Sequence, residues 1–379
     1  MTRRITLLML SRMGHGDGGR ETWLANFLDE IVRQGRHVKF DVIHQRAEPP
    51  TLLDAPSRRV AVADVRQVER RWGWCPVSIE FLVRLAFGRR HRLRRAPVLA
   101  VGGLAEAVGA LLVDPRGGRQ GRVMWLRSIY TREKSAQLPG PAMRWVAALE
   151  RWVLGRFGLV VANGEDTAAF YRGQGIESHV IANAVPLQKW TMPPPPTDGR
   201  LRVAFVGRLA DVKGIRQFLL AAELCEQEAP GLCSFHVAGD GPARAEVEAL
   251  AARLPLVFHG QVDNDTAREI VRDSDACVAL TLSSPALGGG GVSNALVEQM
   301  AAGRILIAWD NDIFRQVLDA SSSYLVHQGD VRALTDVFLH IARNRQDALD
   351  RAAQAARVSA HFSIGAHVDR FFELMEQRR

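Results

Sequence analysis

At 379 residues the chain is too long for one ordinary core, and a composition 47% hydrophobic and 24% charged suits a globular protein of two domains. No run of about 18 apolar residues is present, which leaves no candidate for a spanning helix. The net charge of +8 is uneven: residues 1–190 hold 30 Lys and Arg against 17 Asp and Glu, and residues 191–379 hold 19 against 24. The basic first half points to an anionic partner such as a membrane surface or a phosphorylated lipid. No RNP, zinc or helix-turn-helix pattern accompanies it, so nucleic acid is not the expected partner.

In chain order, Ile5–Leu10 reads as a buried strand, because its apolar stretch is too short for a signal peptide and no cleavage site follows. A glycine loop (Gly14–Gly19) leads into a helix over Glu21–Gln34. Its stripe of Trp23, Leu24, Phe27, Leu28 and Ile31 has helical period. The helix ends at Gly35, and a strand follows at His37–Ile43. Further strands are expected at Val98–Val101, Val123–Leu126, Leu159–Ala162 and His179–Ile181, with helices between them. Trp190–Gly199 contains four consecutive prolines and reads as a semi-rigid linker.

The pattern then restarts. Strands are expected at Arg202–Val206, Ser234–Ala238, Val257–Gly260, Ala276–Leu280 and Ile305–Trp309. Helices fall between them at Ile215–Glu226, Ala243–Arg253, Asp265–Asp273 and Val292–Ala302. Alternation of this kind predicts parallel sheets covered by helices. The tail reads as helical, amphipathic over His367–Glu376. Cys75, Cys225, Cys233 and Cys277 form no C-x-x-C pair and read as thiols of a reducing compartment.

Two glycine loops carry the chemistry. Gly14, Gly16 and Gly19 match G-x-G-x-x-G, and Asp41 lies about 20 residues on, which is the dinucleotide-binding spacing. An NAD-dependent oxidoreductase is therefore one alternative. The second run, Gly288–Gly291, precedes a helix that carries Glu298. Glycines let a backbone approach a diphosphate, and the helix start offers free N–H groups to it. Arg208 and Lys213 flank the turn after the Arg202–Val206 strand. Strand ends of an open parallel sheet share one crevice, so both cations, the loop and Glu298 are expected at one edge. Two cations beside a helix N-terminus can neutralise a diphosphate leaving group.

These residues resemble the retaining family-4 glycosyltransferases, the glycosyl transferases group 1, of the GT-B superfamily. Gly207, Arg208 and Leu209 with Lys213 and Gly214 resemble that family's G-R-L…K-G signature. Gly239–Pro242 resembles its G-x-G-P turn. Phe258–Val262 resembles the segment that meets the nucleobase, and Asn294–Gly303 the helix with the ribose-binding Glu. Gly18, Gly19, Arg20 and Glu21 resemble its G-G-x-E loop. Asn163–Thr167 and Ile181–Val185 resemble the segment before the linker.

The resemblance implies an α/β fold with two Rossmann-like domains facing a central cleft. Residues 1–189 would bind acceptor, 190–199 would be linker, 200–360 would bind nucleotide sugar, and a C-terminal helix over 361–379 would pack back on the first domain. It implies Arg208 and Lys213 as catalytic groups. Gly18, Gly19, Gly207, Val262, Gly290, Gly291, Val292, Asn294, Ala295 and Glu298 would complete the donor site, with Glu21 and Arg127 on the acceptor or sugar side.

The donor implied is a nucleoside-diphosphate sugar, with UDP favoured, and no metal or other cofactor is required. The acceptor would be a carbohydrate or lipid-linked hydroxyl in polysaccharide or glycoconjugate synthesis. The sequence departs from the family at Gly290, where a first Glu is usual, and at Arg127, near the place of a usual His. The Gly290 departure admits a donor-binding subunit of weak activity as a further alternative. Asp310–Asp312 matches D-x-D and reads as a turn. Trp72, Trp74, Phe87 and the basic run Arg89–Arg95 suggest a cytoplasmic protein peripheral to an anionic membrane face.

Overall fold

The computed structural model describes residues 3–377 except 15–18, 47–48, 70, 73, 88–95, 135–139, 195–198 and 285–291. Its contacts divide into two compact units. The first comprises residues up to Ala184 and those from Ile364 onward, and the second comprises Val185–Ser284 and Val292–Ser363.

The first unit runs β1 (Arg3–Met9), α1 (Gly19–Arg33), β2 (Val38–Gln45), α2 (Pro56–Ala61), β3 (Val62–Val68), α3 (Val77–Phe87) and β4 (Val98–Gly102). It continues through α4 (Leu104–Val113), β5 (Arg122–Leu126), α5 (Tyr130–Lys134), α6 (Gly140–Leu154), β6 (Leu159–Ala162), α7 (Glu165–Gly173) and β7 (His179–Val180). The seven strands are parallel, in the order β3-β2-β1-β4-β5-β6-β7. Side chains alternate across the sheet as the pleat demands. Leu99, Val101, Val123 and Trp125 join the α1 stripe in one core, while Val98, Ala100, Met124 and Leu126 join a second core on the other face. Trp23 and Phe27 are fully buried, each burial stabilising by about 1.5–3 kcal/mol.

The second unit runs β8 (Leu201–Val206), α8 (Ile215–Glu228), β9 (Cys233–Ala238), α9 (Arg244–Ala251), β10 (Leu256–Gly260), α10 (Asn264–Arg272) and β11 (Ala276–Ala279). It ends with α11 (Asn294–Ala301), β12 (Ile305–Asp310), β13 (Tyr324–His327), α12 (Val331–Arg343) and α13 (Arg345–Ser359). Its strands are parallel in the order β10-β9-β8-β11-β12-β13. The last helix, α14 (Ile364–Glu376), belongs to the first unit, where Val368, Phe371, Phe372 and Met375 enter the core beside α1.

Several expectations are corrected. β3 and β13 were not legible because β3 has no continuous apolar run and that of β13, Tyr324–Val326, is only three residues long. The first unit ends at Ala184 rather than at residue 189. Val185 and Trp190 are buried in the core of the second unit, and the carbonyl of Pro193 accepts from the buried Arg304 guanidinium. The second unit also extends to Ser363 rather than 360. Asp41 is not near a strand end: β2 continues to Gln45, and Asp41 pairs with Arg4 at 2.9 Å. That position suits a lateral ion pair, not a ribose contact. Four of the linker positions, 195–198, lie outside the described residues.

Candidate functional site

In each unit the strand order reverses direction at one point, between β1 and β4 in the first and between β8 and β11 in the second. Loops leaving strand C-termini diverge there and open a crevice. The second-unit crevice is lined by the loop after β8, the loop after β11 and the start of α11.

The β8 loop is shaped by close backbone approach. Gly239 takes φ +139°, and a Cβ there would lie 1.9 Å from the carbonyl oxygen of Gly207. Gly214 takes φ +73°, and a Cβ would lie 2.4 Å from the carbonyl of Leu280. The second contact brings the Arg208–Lys213 turn against the end of β11, with the Leu282 N–H donating to Val212 O at 2.8 Å. Lys213 is partly buried, and its Nζ donates to Thr281 Oγ1 at 3.3 Å. Burial, and then the charge of Arg208, hold its ammonium below the usual range. Arg208 is exposed, and its guanidinium has no hydrogen-bond or ion-pair partner among the described residues. Two like charges side by side without a counterion suit a polyanionic ligand.

The β11 loop is held by the loops after β12 and β13 at the same edge of the sheet. Asn311 donates to Thr281 O at 3.0 Å and to Gln328 Oε1 at 2.8 Å, while Gln328 Oε1 also accepts from Ser283 N at 2.8 Å. No motif marked Thr281 or Gln328, and Asn311 stood out only as the middle of the D-x-D match, because the network joins three loops distant in sequence. Asn311 also closes its own turn through Ile313 N, and Asp310 pairs with Arg315, which places the D-x-D match in a turn. Among the described residues no group of three or more His, Cys, Asp or Glu could hold a metal ion.

α11 starts later than the sequence implied. Ser293 is its cap and accepts from Leu296 N at 3.2 Å, so Val292 precedes the helix, and Glu298 lies little more than one turn in. Glu298 has no partner among the described residues, and burial pushes its carboxyl up to about 7. Asn294 Oδ1 is buried without a partner, and Ala295 is half-buried beside it. Val262, after β10, packs partly on the same core. Gly290 and Gly291 lie outside the described residues, so the proposed cradle is represented by Gly207, Arg208, Lys213 and the start of α11.

In the first unit Gly19 opens α1, while Gly16 and Gly18 lie outside the described residues. Glu21 is buried and accepts a hydrogen bond from Ser11 Oγ, which ties α1 to the end of β1. Arg127 follows β5 directly, with its guanidinium 5.2 Å from the centroid of Trp23. Behind it, the Trp23 indole N–H donates to His367 Nε2 at 2.8 Å, and His367 Nδ1–H donates to Ala182 O at 2.8 Å. Burial pushes this neutral imidazole down to about 3. Neither partner of this α1–α14 tie was legible as a motif.

Residues 200–344 match the family described as Glycosyl transferases group 1. Among known proteins, the chain is 31% identical over 217 residues to the phosphatidyl-myo-inositol mannosyltransferase of Mycolicibacterium smegmatis, covering 55% of this chain and 49% of that protein. It is 32% identical over 184 residues to the 2-deoxystreptamine glucosyltransferase of Streptomyces kanamyceticus, covering 43% and 46%. A match to the mannosyltransferase of Mycobacterium leprae covers 31% of each chain at 34% identity. The chain thus spans half or less of the length of these relatives.

Among solved structures, sucrose-phosphate synthase from Thermosynechococcus elongatus superposes with TM-score 0.75 at 17% identity, covering 99% of this chain and 98% of that one. Anabaena HepE in complex with UDP and glucose gives 0.74 at 15%, covering 98% and 99%. The fold is therefore GT-B, as the resemblance implied. None of these relatives is an oxidoreductase.

Proposed function

From a second unit that matches the glycosyl transferases group 1 family and a chain of GT-B fold, we propose that this protein is a glycosyltransferase. It moves a sugar from a nucleoside diphosphate to an acceptor hydroxyl, with retention at the anomeric carbon. The reading is supported by unpaired Arg208 and by Lys213 in the loop after β8, with Lys213 held to Thr281 after β11, and by the unpaired carboxyl of Glu298 on the helix that follows. In this role Arg208, Lys213 and the first N–H groups of α11 take up the charge of the departing diphosphate. Glu298 accepts from the ribose diol, and Val262 lies against the base. The leaving phosphate receives the acceptor's proton. With two cations at hand, a metal is assigned no step.

UDP is the favoured nucleotide, supported by the presence of UDP and glucose in the HepE complex. A lipid-linked or carbohydrate acceptor is supported by the mannosyltransferase and glucosyltransferase relatives. The assigned setting is the cytoplasmic face of a membrane, in polysaccharide or glycolipid synthesis. Trp72 and Trp74 stack at 6.0 Å and Phe87 is exposed, although the basic run Arg89–Arg95 lies outside the described residues. A second surface points the same way. On α6, Trp145 is 80% and Trp152 54% exposed, with Leu149 between them and Arg144 and Arg151 exposed alongside. Tryptophan and arginine on one helix suit a bilayer interface with anionic headgroups. No helix among the described residues is long and apolar enough to cross a membrane.

The test is a panel of UDP-, GDP-, ADP- and dTDP-sugars read by thermal shift and by donor turnover, with and without chelator. A bound donor raises the melting temperature by mass action. If no nucleotide sugar shifts it, the reading fails. Binding without turnover on any acceptor would indicate a donor-binding subunit instead. Sedimentation with anionic against neutral vesicles tests the surface assignment, and equal recovery would remove it.

A further inference from the structure

The crevice of the first unit has its own charge pattern, around the residues Glu21 and Arg127 that the resemblance puts on the acceptor or sugar side. Three adjacent strands end there. Ser11 follows β1, Gly103 and Glu106 follow β4, and Arg127 follows β5, while α1 begins at the same edge with Arg20 in its first turn. The carboxylates are occupied. Glu21 accepts from Ser11, and Glu106 accepts from Gly103 N at 2.9 Å and Leu10 N at 3.2 Å and pairs with Arg20 at 3.6 Å. Arg127 is not. It forms no ion pair among the described residues, its Nη1 is buried without a hydrogen-bond partner, and its guanidinium lies over the face of Trp23, with the carboxylate of Glu21 acting on it only through space. A buried guanidinium with a donor left unmet is costly unless a ligand completes it. The side chain keeps some exposure, which leaves a way in for that ligand. Burial, and then the charge of Arg20, hold its affinity for a proton down, to about 10, with the carboxylate of Glu21 acting the other way.

We propose that the β1/β4 edge of the first unit binds an oxyanion, phosphate or carboxylate, carried by a substrate and distinct from the nucleotide diphosphate. Arg127 and Arg20 hold it. This deepens the transferase reading and rests on it, because it gives one of the two substrates a negative charge at a defined place. The guanidinium supplies a fork of donors that fits two oxygens. The oxyanion belongs either to the acceptor or to the donor's sugar.

Calorimetry on the full chain separates these sources. The acceptor arm compares sn-glycerol 3-phosphate with glycerol, with and without saturating UDP. The donor arm compares UDP-glucuronate with UDP-glucose. The anionic member of one pair is expected to bind at least about tenfold tighter than its neutral twin, in keeping with one charge-assisted hydrogen bond. Arg127→Gln should erase that preference, Arg127→Lys should restore part of it, and UDP affinity should stay unchanged in both. Arg20→Gln, at a half-exposed position, gives the same readout if Arg127→Gln does not fold. Equal binding within both pairs overturns the proposal. So does a preference that survives both Gln variants, or a loss of UDP affinity in step with it, which would assign the cations to the diphosphate. A wild-type chain that binds no nucleotide while still preferring the phosphate would instead count against the transferase reading alone.

Discussion

Replacing Glu298 by Gln, and titrating both proteins with a nucleotide sugar between pH 6 and pH 8, probes the donor site through a single proton. Burial sets the carboxyl of Glu298 at about 7, with no neighbour to stabilise either form. A ribose diol donates hydrogen bonds to a carboxylate and has much less to offer a carboxylic acid. Binding should therefore select the ionised form and lower the carboxyl's affinity for a proton. The ionised fraction of the empty site is about nine tenths at pH 8 and about one tenth at pH 6. Affinity should weaken about tenfold over that interval, roughly 1.4 kcal/mol, and strengthen as pH rises. At pH 7 about half a proton should be released per nucleotide bound, countable by calorimetry in buffers of different ionisation enthalpy. An intact nucleotide sugar is required, because a terminal phosphate itself titrates near pH 6. Glu298→Gln should bind more weakly with a flat profile. A flat wild-type profile, or a slope that persists in the Gln variant, would refute the assignment of Glu298 to the diol.

Lys213→Ala should lower sugar transfer at least about a hundredfold, with circular dichroism unchanged, since it removes a charge aimed at the leaving group; near-normal turnover would remove it from the mechanism. Gly239→Ala should lower both melting temperature and donor affinity, because the added Cβ meets Gly207 O at 1.9 Å and displaces the Arg208 loop. Gly118→Ala, with nothing within 4 Å, is the control, and equal effects of the two would count against the close-approach argument. His367 is neutral when folded, its pKa lowered by burial to about 3 from 6.5. The unfolded chain therefore binds the proton first, and stability that is full at pH 7 is lost as pH falls from about 6.5 toward 3. By pH 5 the loss is about 2 kcal/mol, measured by urea unfolding of the wild type against His367→Gln; equal pH slopes in the two would show that this imidazole is not responsible.

Much of this protein is determined locally, by the chain alone. Leu7, Leu99 and Val123 are buried wherever their strands lie in the sheet, so continuous apolar runs announce central strands. The stripe from Trp23 to Ile31 announces a helix, and Gly35 at φ +64° ends it. The signature residues Gly207, Arg208, Lys213 and Glu298 were legible for the same reason. Each sits at a strand end or helix start, and the strand-to-helix alternation already sends such positions to one edge.

The tertiary structure alone decided whatever depends on neighbours far apart in sequence. Half-exposed β3 and β13 take their strand form from a partner's ladder of hydrogen bonds, not from a long apolar run of their own. Trp190 moves the unit boundary forward because an indole needs a core to enter. Asn311 and Gln328 clamp the β11 loop across distances no spacing rule spans. The neutrality of His367 and the unmet donor of Arg127 follow from which groups surround them, since burial and pairing set a charge's cost and neither is written in the order of the residues.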